Sequence, residues 1–221
     1  DEHLGKSGLS HALEHMMFKG TPAVPSGEFS RRISALGGNN NAYTSSSETV
    51  YHQTFAKQHL PEVLKLEADR MANLNFSDQE FDNEMKVIRE ERRQRIDDNP
   101  TGSLYEQLNL HAFQKPANRT AVIGTMKDLY QLKAGDLRQW YRQWYAPNNA
   151  TLVIVGDVNA EAALAEVKQQ FAALPARQLP TRHNLHEDEI RQAASAHTTG
   201  NTKQPIFIIG YRVPHLQHLD D

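Results

Sequence analysis

None of the 221 residues is cysteine, and that absence constrains the fold more than any other single feature. No disulfide can staple a small scaffold, no thiolate can serve as nucleophile, and no Cys-rich zinc ribbon can nucleate folding. The chain must hold itself together by burying apolar surface, and any metal must be bound through His, Asp or Glu. Hydrophobic residues make up 38% and charged residues 23%, with Trp, Tyr and Phe all present, so a packed core is feasible and the composition argues against wholesale disorder. The formal net charge of −3 comes from interspersed acids and bases. No basic stripe invites nucleic acid, and no apolar run approaches the ~20 residues that a membrane helix needs.

The length suits one sizeable domain, or one domain and part of a second. The chain enters a helix almost at once and stops soon after a strand-like run, so it reads as an excised piece. The lack of a signal peptide therefore carries no weight.

Hydrophobic spacing predicts a first helix from Ser7 or Leu9 to Phe18, closed by Gly20, and a second after Ser26 that stops at Gly37-Gly38. Asn39–Ser47 and Thr49–Ala56 have the composition of paired strands. Leu60–Leu74 is helical again, and Ser77-Asp78-Gln79-Glu80 has the form of a capping box opening a long charged helix to Ile96. Further helices are predicted over Leu104–Phe113, Gly135–Tyr145 and Ala160–Leu174. Thr151–Gly156 is continuously apolar, the pattern of a buried central strand. A stretch with prolines and mixed charge follows Pro175, and Ile206–Val213 reads as another strand.

The residues that carry chemistry are His11-Ala12-Leu13-Glu14-His15. On a helix, His11 and His15 lie four apart on one face, where both imidazoles can reach one cation. Zinc bonds imidazole nitrogen at ~2.0–2.1 Å and accepts two such ligands plus a carboxylate, leaving a position for water. Glu14 sits beside the pair, placed to take a proton without being a ligand. This is the H-x-x-E-H arrangement. A third ligand can be sought on the long charged helix, where Phe81, Glu84, Met85, Ile88 and Glu91 recur at spacings of three and four. Two carboxylates on an apolar stripe are unfavourable unless they meet a cation or a donor. A metal ligand and a second carboxylate supporting it would be a good reason for such a pair.

His11–His15, continuing as Met16-Met17-Phe18-Lys19-Gly20-Thr21, resembles the signature of the pitrilysin and insulinase family of zinc peptidases, which includes the mitochondrial processing peptidases. That family places its third zinc ligand about 75 residues after the motif. Here Glu91 follows His15 by 76 residues and Glu84 precedes Glu91 by 7, so by this resemblance Glu91 matches the ligand and Glu84 the supporting carboxylate, with Glu90 the adjacent alternative to Glu91. Three more stretches resemble the family: Gly37–Thr44 its substrate-binding edge strand, Trp144–Asp157 a helix-to-strand passage, and Pro205–Pro214 the opening of the next repeat. The resemblance spans nearly the whole chain and is greatest to bacterial two-repeat members, whose frequent export favours the periplasm.

The resemblance implies an α+β fold, a mostly antiparallel sheet with helices packed on one face. It implies a catalytic domain over residues 1–180 lacking its first strands, a linker over 181–200, and the start of a similar domain over 201–221. It implies one Zn²⁺ held by His11, His15 and Glu91, with Glu14 as general base and Glu84 orienting a ligand histidine. Asn41, Ala42 and Tyr43 would bind an extended peptide substrate by strand addition, and a second homologous domain or subunit would close over the site. The function implied is a zinc endopeptidase; the alternative is a silent peptide-binding or scaffold subunit. A zinc lyase of thioether sugars also uses H-x-x-E-H, but complements it with a cysteine that this chain lacks. His3, His52, His59, His111 and His197 have the look of surface or strand residues, Trp140, Tyr141, Trp144 and Tyr145 of packing, and Arg89, Arg92, Arg93 and Arg95 of a solvated helix face.

Overall fold

Helix α1 (Leu9–Met16) begins at Gly8, whose φ of +89° no side-chain-bearing residue adopts easily. Its exposed first-turn amides are met from upstream, where the Glu2 carboxylate accepts from Gly8 N–H (2.8 Å) and Ser10 N–H (2.6 Å). Gly8 also lies hard against the chain near Ile123, and a Cβ there would come 2.5 Å from the Ile123 carbonyl oxygen. Helix α2 (Glu28–Ala35) leads through Gly37 into β1 (Asn39–Thr44), which pairs antiparallel with β2 (Thr49–Thr54) in a register that sets Ala42 opposite Tyr51 and Thr44 opposite Thr49. Helix α3 (Leu60–Asn73) follows, with Pro61 in its first turn, where its missing N–H costs nothing.

The capping box at Ser77 forms as its sequence predicts. Ser77 Oγ accepts from Glu80 N–H (3.1 Å) and Glu80 Oε2 accepts from Ser77 N–H (2.8 Å), opening α4 (Asp78–Arg92). A π turn over Arg93–Asp97 continues it. Helix α5 spans Pro100–Ala112, starting earlier than the apolar spacing indicates. Pro100 begins this helix, and Asn99 caps it by accepting from Thr101 and Gly102 N–H. Then come α6 (Pro116–Arg119), α7 (Met126–Gln131), α8 (Ala134–Trp144) and α9 (Ala160–Phe171).

The computed structural model describes residues 1–182, 187 and 193–211. The fold is α+β, rich in helix, and among the described residues its one sheet is the antiparallel pair β1–β2. Among the described residues no helix is long and apolar enough to cross a membrane. The chain divides into two compact units, Asp1–Arg89 with Val122–His183, and Glu90–Ala121 with Asn184–Asp221. In the first, α1 packs on β1, β2 and α8, α2 on β1, and α3 on α9. A core of Val24, Phe29, Ile33, Val63 and Leu66 joins α2 to α3, with Leu36 and Phe55 packed against it. In the second, α5 packs on the π turn and on α6. There the buried Glu187 carboxylate accepts from Gln114, Lys115 and Asn118.

Among the described residues, neither the expected strand at Thr151–Gly156 nor the expected one at Ile206–Val213 forms. Leu152, Val153 and Val155 are 46, 73 and 91% exposed, and their run joins no ladder among the described residues. Unbroken apolar character marks a segment able to fill a central position, but strand structure also needs a neighbour to pair with. The same holds for Ile206–Tyr211, where Phe207 is exposed; residues 212 and 213 of that expected strand lie outside the described residues.

Replacing Gly8 by Ala combines an unfavourable φ with a backbone clash and is expected to cost about 2 kcal/mol or more. Gly5→Ala, which has φ +78° but open space around it, is expected to cost about half as much. Urea midpoints of the two variants measured side by side check the difference.

Candidate metal centre

Helix α1 is enclosed on most sides: Leu9, His11, Ala12, Leu13, Glu14 and Met16 are all buried. Its histidines stack as their spacing requires, with ring centroids 4.7 Å apart. Helix α4 turns Phe81, Met85 and Ile88 into the interior, and on the same stripe it carries Glu84 and Glu91. Glu84 and Glu91 both stand on α4 (Asp78–Arg92).

His11, His15 and Glu91 each offer a ligand atom, and these atoms lie within 4.8 Å of one another. They are the one such group among the described residues. The side chain of Glu91 is 19% exposed, whereas that of Glu90 is 54% exposed and pairs with Arg93 at 2.9 Å. Helical geometry thus separates the two adjacent glutamates, and the histidines meet Glu91. One Glu91 oxygen, Oε1, also forms an ion pair with Arg95 at 3.0 Å.

Glu84 Oε1 accepts from His15 Nδ1 at 2.8 Å, and Glu84 Oε2 pairs with Lys19 Nζ at 2.5 Å. The His15 hydrogen bond, aided by Lys19, holds the Glu84 carboxyl at about 2 against the opposing effect of burial. With its proton on Nδ1, His15 keeps a lone pair on Nε2 for a cation. Two imidazoles and a carboxylate form a donor set that suits zinc and leaves a coordination position open, so the residues present fit that metal.

Glu14 is buried on α1, and Thr44 Oγ1 at the end of β1 donates to its Oε2 at 2.5 Å. Asn41 and Tyr43 are exposed on β1, while Ala42 lies half-buried between them, its N–H met by Asn41 Oδ1 at 2.9 Å. Below the hairpin, Tyr51 and Tyr145 share a hydrogen bond of 2.6 Å, and burial pushes both phenols up, Tyr145 to about 12. Arg70, also buried, lies over the rings of Phe18, Phe29 and Tyr51 and pairs with Glu67 at 2.6 Å.

Sequence reasoning assigned no role to Lys19 or Thr44, although both stand in the quoted motifs. Alternation along β1 was the available signal for Thr44, since it shares the inward side with Ala42. His3, His52, His111 and His197 are exposed and His59 half-buried. Trp140 and Tyr141 are buried in packing. Arg92 departs from the solvated face expected of it: it is buried and bound to both oxygens of Glu106 at 2.8 and 2.9 Å. Charge alternation along a helix cannot reveal that a later helix returns an acid to one of its basic residues.

Residues 2–125 match the family described as Insulinase (Peptidase family M16), and residues 131–221 match the Peptidase M16 inactive domain. The chain is 33% identical to the zinc protease PqqE of Helicobacter pylori, an alignment covering 100% of this chain and 50% of that protein. It is 35% identical to the probable zinc protease PqqL of Escherichia coli, covering 81% of this chain and 20% of that one. The crystal structure of a protease from Helicobacter pylori superposes with a TM-score of 0.81 at 33% identity, over 87% of this chain and 46% of the other. The chain spans half the length of the first of these relatives and a fifth of the second.

Because the folded pKa of Glu84 lies below its ordinary value of 4.5, its contribution to stability is full above that value and is lost as pH falls towards about 2. The stability gap between wild type and Glu84→Gln, read by urea titration, is expected to be constant from pH 5 to 6 and to close progressively below pH 4.5.

Proposed function

The chain belongs to the insulinase family, peptidase family M16, and from that premise we propose that it is the catalytic part of a zinc-dependent endopeptidase. The observation that carries the reading is the meeting of His11, His15 and Glu91 around one point, beside a buried Glu14 that is not part of the group. In this proposal residues 1–180 form the catalytic domain, 181–200 a linker and 201–221 the start of a similar domain. M16 proteins have two homologous halves, and a second half closing over the peptide would complete the cleft.

His11, His15 and Glu91 hold the zinc, and Glu84 fixes the ring of His15 by accepting from its Nδ1. Zinc, when bound, would polarise the scissile carbonyl and bring the pKa of the attacking water towards neutrality. Glu14 accepts the proton from that water and returns it to the departing amine. The peptide lies along β1 at Asn41, Ala42 and Tyr43 as an added strand, because an edge strand offers unpaired backbone groups that an extended peptide can match. Backbone pairing is nearly indifferent to side chains, so broad specificity is expected, with a few pockets tuning it.

Elemental analysis of the full-length protein tests the centre directly. About one zinc per chain is expected in the wild type, lost or sharply reduced in His15→Ala and Glu91→Gln, with Glu84→Ala binding about 10–100-fold more weakly in a chelator competition. Glu14→Gln is expected to keep its zinc and lose about 10²–10⁴-fold in peptide cleavage. Zinc binding with no cleavage of any peptide by the wild type would instead favour a peptide-binding subunit.

A further inference from the structure

We infer that Thr44 is a positioning residue for the Glu14 carboxylate, and that it ties the strand proposed to receive the peptide to the base proposed to act on the water. The inference rests on the reading of Glu14 as general base. Its foundation is the hydrogen bond from Thr44 Oγ1 to Glu14 Oε2 at 2.5 Å, made between the inward side of β1 and the buried side of α1.

The donor is itself held in place. Thr49 stands directly opposite Thr44 in the ladder, and the two hydroxyls are 3.2 Å apart. A threonine hydroxyl has one proton. With that of Thr44 committed to Glu14, any hydrogen bond within the pair is donated by Thr49, whose hydroxyl also contacts Tyr145. The turn joining the two strands is pinned as well: Ser45 N–H donates to the Glu48 carbonyl at 2.8 Å, and Ser45 Oγ accepts from Glu48 N–H at 3.2 Å. A branched Cβ adds stiffness, because Thr has few χ1 states open to it on a strand.

The consequence for the site is a division of labour between the two Glu14 oxygens. Oε2 is engaged by Thr44, which fixes the plane of the carboxylate and directs Oε1 to the proton it must take. A carboxylate without that anchor samples other rotamers, and misplacing a reacting group by about 1 Å can cost about 10²-fold in rate. The anchor stands next to Tyr43, at the end of the strand on which the peptide is proposed to lie. A peptide that straightens or shifts β1 therefore acts on Glu14 through one side chain.

The test compares Thr44→Val, which keeps the shape and removes the hydroxyl, with Thr44→Ser, which restores it, in the full-length protein beside Glu14→Gln. Thr44→Val is expected to retain its zinc and a KM within about 2-fold of wild type while kcat falls about 10–100-fold, and Thr44→Ser to recover most of the loss. A crystal structure of metal-free Thr44→Val should show the Glu14 carboxylate turned away from its wild-type position. Near-wild-type kcat in Thr44→Val, with Glu14→Gln inactive, would overturn the role of Thr44 and leave the general base standing. Full activity in Glu14→Gln would remove both. Loss of zinc in Thr44→Val, with no recovery in Thr44→Ser, would make Thr44 a structural residue and overturn the inference equally.

Discussion

The burial of α1 is the constraint on which the first unit depends. A helix of eight residues is too short to be stable alone, so packing must hold it. That packing surrounds not only Leu9, Leu13 and Met16 but also Glu14, and it half-buries His15. Taking such groups out of water is unfavourable unless each finds a partner. The partners come from elements distant in sequence: Thr44 from β1 for Glu14, and Glu84 from α4 for His15. Placing α1 therefore also places β1 and α4.

A second layer of partners supports the first. Lys19 holds the far oxygen of Glu84, and the buried Arg70 of α3 fills the space between Phe18, Phe29 and Tyr51 while Glu67 neutralises it. The bond from Tyr51 to Tyr145 joins the hairpin to the end of α8, whose Leu137 and Trp140 are buried. Aromatic faces and a guanidinium can lie together in a dry interior because the ring quadrupole attracts the cation. The hairpin is thus fixed from below, as the peptide docking proposed for β1 would require for a reliable register.

Much of this was legible along the chain because the signals are local. Four-residue spacing brings His11 and His15 onto one face whatever surrounds them, and seven-residue spacing does the same for Glu84 and Glu91. Ser77 and Glu80 form their reciprocal cap within one turn, and the alternation around Ala42 marks the two sides of β1. Where local signals mislead, the competing effect is tertiary. Pro100 punctuates a sequence in the manner of a breaker, yet with Asn99 capping it begins α5. The run at Leu152–Val155 has the apolar character of a core strand, but strand structure is a property of two segments, and among the described residues no neighbour pairs with it.

What the sequence determined by itself is therefore the set of elements and the chemical types on their faces: no thiol, two imidazoles one turn apart, two carboxylates two turns apart. These follow from backbone periodicity, which is intrinsic to each segment. Only the tertiary structure decided that Glu91 and not Glu90 comes near the histidines, that Glu84 bonds Nδ1 of His15, and that Thr44 reaches Glu14. Those outcomes depend on how α1, α4 and β1 approach one another. Packing and desolvation across the fold set that approach, and neither can be summed from neighbours in sequence.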